Sequence, residues 1–192
     1  MTISERHSVN INDHTVELTD VVIGHLNALL VASSREWAAK VASVGKKTMD
    51  FHMDFPNGDD STLSKFGFKN LQALRTALML ENNAYRKEVE EYGSTICTLD
   101  KVKFTDGQLK VIPWLFTSLN PAEIASRVLG GKSKRTADDY IYKISLKVLQ
   151  DGYEQNRYNV CAALLALGYP TELPKSEISL SDFEAQLTRG QF

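Results

Sequence analysis

The chain has 192 residues, of which 43% are hydrophobic and 24% charged, and its formal net charge is −2. This composition is typical of an ordinary globular protein with one hydrophobic core or two small ones, and it excludes a disordered chain. No apolar run reaches the ~18 residues that would span a bilayer, and residues 1–6 lack the pattern of a signal peptide. We therefore expect a cytoplasmic protein without membrane contacts.

The N-terminal part, residues 1–102, mixes helix-like and strand-like patterns. Apolar residues recur with a helical period in some stretches and alternate with polar residues in others. Such a mixture predicts an α+β domain, which we expect to sense a signal or to mediate association. The predicted elements are an edge strand or loose arm in 1–18, one or two helices in 20–45, a strand in 49–55, a helical region in 64–92 ended by Gly93, and a strand in 95–99.

Histidine and cysteine spacing does not indicate a metal site. Cys97 and Cys161 lie far apart, and all four histidines lie in the N-terminal half. Asp50, His52 and Asp54 share one face of the strand predicted in this region and could in principle hold a metal ion, although a solvated strand face explains them better. The sequence therefore implies no metal, no cofactor and no disulfide.

The segment from Phe104 to Tyr169 contains four apolar-periodic stretches joined by short turns, which is the organisation of a helix-turn-helix unit. An Asn-Pro pair predicts the start of its first inner helix, near Asn120 to Leu129. Gly130-Gly131 permit a sharp turn, and a serine can cap the second inner helix, near Ser133 to Leu149. The predicted buried stripe of this second helix consists of Ala137, Ile141, Ile144 and Val148.

The opposite face of the second inner helix is cationic at its start. Residues 103–169 hold nine Lys and Arg against six Asp and Glu, a net charge of +3. Lys and Arg on such a face could contact phosphates and base edges in a major groove, although Arg135 could instead pair with Asp138 or Asp139. We expect Lys134, Arg135, Lys143 and Lys147 to face outward. The residues predicted to bind double-stranded DNA are Lys132, Ser133, Lys134, Arg135, Thr136, Lys143 and Lys147.

These residues resemble the LuxR/NarL-type (GerE-like) DNA-binding domain of bacterial transcription regulators, a four-helix unit. The family's Glu-Ile-Ala appears as Glu123-Ile124-Ala125, its Ser-x-x-Thr-Val as Ser133 to Ala137, and its Ile-x-x-Lys-Leu as Ile144 to Val148. The family's Leu-Thr opening appears as Phe104-Thr105, and Gly107-Gln108 follow where the family has an Arg-Glu pair. The likeness covers about a third of the chain and implies an all-α helix-turn-helix DNA-binding domain.

The resemblance also implies how such a domain would associate. Arg157 resembles the family's Arg ahead of the fourth helix, the helix that makes the family's dimer contact, and Lys147 lies where the family contacts the DNA backbone. A homodimer is expected, because one recognition helix covers only a few base pairs. The apolar stripe of the fourth helix could equally be core of the domain itself. This stripe consists of Val160, Ala163, Leu164 and Leu167.

The sequence thus predicts three regions: an α/β sensor or association domain in 1–102, a DNA-binding domain in 103–169, and a tail in 170–192 with a short helix after Ser181. The expected function is that of a sequence-specific transcription regulator, with a protein or small-molecule signal at the first domain. The alternative is a protein-interaction adaptor that keeps the fold without binding DNA, which the adjacent Asp138-Asp139 favour. An enzyme is not expected, because Gly130 to Ser133 lacks the first glycine of a phosphate-binding loop.

Overall fold

The structure is a computed structural model that describes residues 6–11, 14–31, 35–45, 47, 71–98, 101–117 and 119–172. The chain divides into two compact units, one made of residues 1–77 with 177–192 and the other of residues 78–176. Some sequence predictions lie outside the described residues. They are the strand over 49–55, its candidate metal ligands Asp50, His52 and Asp54, and the tail helix after Ser181.

The described part of the N-terminal unit begins with a β-hairpin and continues as helices. Strands β1 (Arg6–Ile11) and β2 (His14–Thr19) pair in antiparallel fashion along their whole length. Helix α1 (Asp20–Val31) begins directly after β2, with an acidic residue in the first turn, where the helix dipole favours negative charge. Helix α2 (Arg35–Val41) packs against α1.

The predicted α+β class of the N-terminal region is wrong. Within the described residues the hairpin is the only sheet, and the other elements are helices. Helix α3 (Leu71–Glu81) buries Leu74 completely, as α1 buries Leu29, and the Arg75 guanidinium donates a hydrogen bond to the Leu29 carbonyl. The buried apolar side chains described here therefore lie on helices rather than on a sheet, and the fold is mostly helical.

Helix α4 (Asn83–Ile96) continues four residues beyond the end of the helical region that the sequence predicted over 64–92. Asn82 caps it, with its side chain accepting a hydrogen bond of 2.7 Å from the Tyr85 backbone N–H. Gly93 was expected to end the helix but lies inside it, and the strand predicted over 95–99 is wrong in its described part, because residues 95 and 96 belong to the helix. At residues 97 and 98, the part after the helix that the structure describes, an isolated bridge joins Cys97 to Leu149. Another helix crosses α4 at Gly93, where a residue without a side chain allows the two backbones to lie close together.

Four helices form the described part of segment 104–169, as predicted, and a 3-10 helix adds to them. The elements are α5 (Asp106–Val111), the 3-10 helix (Ile112–Phe116), α6 (Pro121–Val128), α7 (Lys134–Val148) and α8 (Arg157–Ala166). The predicted positions of the inner pair, α6 and α7, are confirmed.

Helix α8 is the central helix of the C-terminal unit, because seven consecutive residues, Tyr158 to Leu164, are buried. Helix α4 packs against it so closely that a Cβ on Gly93 would lie 2.0 Å from the Ala162 carbonyl oxygen. The Tyr92 ring stacks on Tyr158 at 5.8 Å, and the Tyr92 hydroxyl hydrogen-bonds the Asn159 side-chain oxygen at 3.1 Å. The compact unit therefore includes α4, which the sequence assigned to residues 1–102.

Candidate nucleic-acid interface

A short turn joins α6 to α7 and determines where α7 begins. Asn120 caps α6 by accepting from the Ala122 and Glu123 backbone N–H groups at 2.9 and 3.0 Å, and the Glu123 carboxylate accepts from the Asn120 N–H at 2.8 Å. Gly130 and Gly131 follow, both with positive φ, at 66° and 79°. Side chains other than glycine rarely adopt this conformation, so the glycine pair makes the reversal between the helices possible.

The first turn of α7 carries exposed cations. Ser133 caps the helix by accepting from the Thr136 backbone N–H at 3.4 Å, and the two hydroxyls lie 3.1 Å apart. Lys132, Lys134 and Arg135 are exposed around this cap, and none of them forms an ion pair within the described part of the chain. We call these three residues the cationic turn.

The buried side of α7 agrees with the predicted stripe. Ala137, Ile144 and Val148 are completely buried, and Ile141 is half-buried. Ser145 is also buried, and its hydroxyl donates to the Tyr142 carbonyl at 2.7 Å. The opposite side of α7 is therefore the one available to a ligand.

Asp139 engages Lys143 on the exposed side of α7. Asp139 Oδ2 lies 2.7 Å from Lys143 Nζ, one turn away, and both side chains are more than half exposed. The hydrogen bond and the negative charge of Asp139 hold the pKa of Lys143 above its usual value. Lys143 faces outward as predicted, but a neighbouring carboxylate already balances its charge. Asp139 thus pairs with Lys143 and not with Arg135.

Lys147 does not face outward, so this prediction is wrong. Its ammonium donates to the Lys103 carbonyl at 2.7 Å and to Gln108 Oε1 at 2.9 Å, and it lies 5.9 Å from the centre of the Phe104 ring. The physical reason is helical geometry, since Lys147 is three residues after Ile144 and so borders the buried stripe. Helix α5 packs along that border.

Gly107 and Gln108, which occupy the place of the resembled family's Arg-Glu pair, both contact α7. A Cβ on Gly107 would lie 2.7 Å from the Tyr140 hydroxyl oxygen, so the Tyr140 ring covers this glycine. Gln108 is buried and also completes a capping box with Thr105, whose backbone N–H donates to Gln108 Oε1 at 3.0 Å. Sequence reasoning missed both contacts, although a glycine within a short helix was a possible signal.

Two large apolar side chains are exposed on α7. Tyr142 and Leu146 are each 54% exposed and lie four residues apart, so they are neighbours on the helix surface. They extend the outward face beyond the Asp139–Lys143 pair toward the C-terminal end of α7. A surface of this composition suits a protein partner better than it suits phosphates.

The residues predicted to make a dimer contact lie mostly in the core. Val160, Ala163 and Leu164 are completely buried within the C-terminal unit, and Leu167 is half-buried. The alternative that the sequence left open, a core role, therefore describes the first three. These three side chains are not available to a second copy of the folded chain.

Arg157 supports this core from the first turn of α8. Its guanidinium donates to four backbone carbonyls of the 3-10 helix and the loop after it, at 2.5 to 2.9 Å. Burial lowers the pKa of Arg157 from its usual value. Cys161, one turn later, is fully buried and its thiol donates to the Leu115 carbonyl at 3.3 Å. Burial raises the pKa of the Cys161 thiol to about 12.

Among the described residues, no group of three or more His, Cys, Asp or Glu side chains is placed to hold a metal ion. In the same part of the chain, no helix combines the length and apolarity that crossing a membrane requires. Comparison with models of protein families, with curated proteins and with solved structures finds no match to this chain. The resemblance to LuxR/NarL-type domains therefore depends on the motifs of residues 104–169 alone.

Proposed function

We propose that this protein is a cytoplasmic transcription regulator that binds double-stranded DNA through the cationic turn and the outward face of α7, with the N-terminal region receiving a signal or mediating association. The observation that carries the proposal is the exposed set Lys132, Lys134 and Arg135. These cations lie at the start of a helix that a short glycine turn joins to α6. Such an arrangement can place a first helical turn against base edges and its flanks against phosphates.

The contacts that this face can make are fewer than the sequence indicated. The ammonium of Lys147 is engaged with two oxygen acceptors of the protein, and the charge of Lys143 is balanced by Asp139. Phosphate contacts are left to Lys132 and Lys134, and a bidentate contact to guanine is left to Arg135. One copy with so few contacts would discriminate poorly between DNA sequences. We therefore expect a homodimer that binds two half-sites.

The proposal is tested by selecting bound fragments from random DNA with the full chain, followed by a salt series on the enriched site. Lys134→Ala should reduce the slope of log affinity against log salt by about one, because one phosphate contact is lost. Arg135→Ala should cost about 1–3 kcal/mol on the preferred site and relax its specificity.

A matched control for these variants is Lys87→Ala. Lys87 is an exposed lysine of α4 that lies 3.9 Å from Glu91. The control should bind DNA as the wild type does, because the charge is removed from another helix. The proposal fails if no motif is enriched at low salt, or if the control changes binding as much as the two α7 variants do.

A second candidate function is a protein-interaction adaptor, and the exposed Tyr142 and Leu146 favour it. An apolar contact of this kind would be nearly independent of salt, whereas phosphate contacts weaken steeply as salt rises. Association with a protein partner that survives high salt and is lost in Tyr142→Ala would support the adaptor. A steep salt dependence that Tyr142→Ala leaves intact would support the regulator.

A further inference from the structure

Lys147 fixes the C-terminal end of α7 to the chain before and within α5. Its ammonium has three N–H donors, of which two bind the Lys103 carbonyl and Gln108 Oε1 at 2.7 and 2.9 Å. The ammonium also lies 5.9 Å from the centre of the Phe104 ring, a distance at which a cation is attracted to the ring face. The group is therefore occupied by the protein and poorly placed to contact a phosphate.

A second contact fixes α7 at a point two turns earlier. The Tyr140 ring lies over Gly107, where a Cβ would come within 2.7 Å of the hydroxyl oxygen. Tyr140 precedes Lys147 by seven residues, which is close to two full turns, so both side chains project from the same side of α7. Their partners, Gly107 and Gln108, are adjacent residues of α5.

Two contacts on one side of a helix, two turns apart, determine how far the helix is rotated about its own axis. We propose that Lys147 is a positioning residue for DNA recognition, which sets the rotation of α7 so that Arg135 faces the base edges. This inference rests on the proposed function. Arg135 projects from the side of α7 opposite the buried Ile144, so its direction changes with any rotation of the helix.

The size of the effect follows from helix dimensions. A rotation of about 20° moves a side-chain atom at a radius of about 6 Å by roughly 2 Å. Hydrogen bonds to base edges require donor–acceptor distances of about 2.7–3.2 Å and are lost after such a shift. Contacts from flexible lysines to phosphates tolerate the same shift. Loss of Lys147 should therefore reduce sequence discrimination while leaving the number of phosphate contacts unchanged.

The test compares full-length variants on the site selected by the wild type and on random DNA, each over a salt series. Lys147→Met keeps most of the aliphatic stem and removes the ammonium. We expect it to bind the selected site about tenfold more weakly, the usual effect of losing one base contact, with little change on random DNA and no change in salt slope. Lys147→Arg can donate to the same acceptors and should restore discrimination. Lys134→Met, the matched direct-contact variant, should instead reduce the salt slope by about one.

Two further variants separate positioning from general stability. Gly107→Ala pushes on Tyr140 without changing any charge, and it should reproduce the loss of discrimination even if Lys147→Met does not fold. Tyr92→Phe removes the hydrogen bond to Asn159 between α4 and α8 and should lower the melting temperature without changing discrimination.

The inference is overturned if a folded Lys147→Met protein shows a reduced salt slope or weaker binding to both DNAs equally, or if Tyr92→Phe reduces discrimination as much. It is also overturned if discrimination is lost in neither Lys147→Met nor Gly107→Ala. If the wild type binds no DNA at low salt, the proposed function fails and the inference fails with it. If the wild type binds DNA and one of the earlier contradicting results is found, the proposed function stands and only the role of Lys147 is rejected.

Discussion

At the scale of single residues, Arg157 shows how one half-buried side chain can organise a loop. Its guanidinium satisfies the carbonyls of Trp114, Leu115, Thr117 and Leu119, which hold the end of the 3-10 helix against α8. The planar fork of arginine has five N–H donors, whereas a lysine ammonium has three and cannot span these positions. The contacts of Arg157, the residue that resembles the family's Arg ahead of the fourth helix, therefore indicate a role in stabilising the fold.

Replacing Arg157 with lysine keeps the charge but leaves some of these carbonyls without a partner. We expect the free energy of unfolding to fall by about 1–3 kcal/mol, the cost of one unsatisfied buried acceptor, because these carbonyls are only partly buried. Denaturant unfolding measures this change. The control is Arg127→Lys at an exposed position of α6, which should change stability by less than about 0.5 kcal/mol. Equal effects of the two substitutions would refute the structural role of Arg157.

Cys161 makes a pH-dependent contribution to stability. The pKa of its thiol is about 12 in the folded chain against an ordinary value of 9.0, because burial disfavours the thiolate. Above pH 9 the unfolded chain loses this proton and the folded chain keeps it, so stability should fall as pH rises from about 9 to 12. The slope from this group is about 1.4 kcal/mol per pH unit. Below pH 9 the contribution is complete and constant.

The measurement is urea unfolding of the wild type and of Cys161→Ala between pH 8 and pH 11, chosen to bracket the ordinary pKa of 9.0. Other groups titrate in this range in both proteins, so the difference between the two slopes isolates Cys161. Parallel pH dependences would contradict the prediction. The native thiol of Cys161 should also resist alkylation at pH 8 in a Cys97→Ser background, since the reactive thiolate is scarce.

At the scale of secondary-structure elements, the crossing of α4 and α8 depends on a residue without a side chain. A Cβ on Gly93 would lie 2.0 Å from the Ala162 carbonyl oxygen and 3.1 Å from the Ala163 nitrogen, and these backbone atoms cannot move aside as a flexible side chain could. Gly93→Ala should therefore separate the two helices and cost about 1–3 kcal/mol or more, even though alanine favours a helix by itself.

Gly24 provides the matched control for this prediction. It also lies inside a helix, α1, but a Cβ there would have no atom within 4 Å. Gly24→Ala should raise stability by about 0.4–1 kcal/mol, because alanine restricts the unfolded chain. Thermal unfolding of the two variants should show shifts of opposite sign. A shift of the same sign in both would mean that close packing at Gly93 does not decide its effect.

Helices α4, α6 and α7 show which parts of the fold local sequence patterns can predict. Capping residues and helical periodicity predicted α6 and α7 well, because Asn120, Ser133 and the buried stripe act within one helix. The continuation of α4 through Gly93 was missed, since it depends on a helix some 70 residues away in the chain. The role of Lys147 was missed for the same reason. Its acceptors lie on another element, and periodicity shows only that it borders the buried stripe.

At the scale of the whole molecule, the compact C-terminal unit begins at Leu78, well before the segment that resembles a DNA-binding domain. Helix α4 covers α8, and its end is tied to the end of α7. The Thr98 N–H donates to the Val148 carbonyl at 2.8 Å, and the Gln150 N–H donates to the Ile96 carbonyl at 2.9 Å. The aromatic ends of segment 104–169 also meet, with the Phe104 and Tyr169 rings edge to face at 4.9 Å.

These contacts predict which fragment of the chain folds alone. A fragment of residues 78–176 retains α4 and should unfold cooperatively in denaturant, whereas one of residues 103–176 exposes the side of α8 that α4 covers. The shorter fragment loses the Tyr92–Tyr158 stack, the Tyr92–Asn159 hydrogen bond and both backbone bonds to the end of α7. Burying a single large apolar side chain contributes about 1.5–3 kcal/mol, and small domains are stable by only about 5–15 kcal/mol.

Removing a whole packed helix should therefore leave residues 103–176 largely unfolded, with little helical circular dichroism and no cooperative transition. Cooperative unfolding of both fragments with similar midpoints would show that α4 is not part of this folding unit, and that the segment 104–169 is a domain by itself.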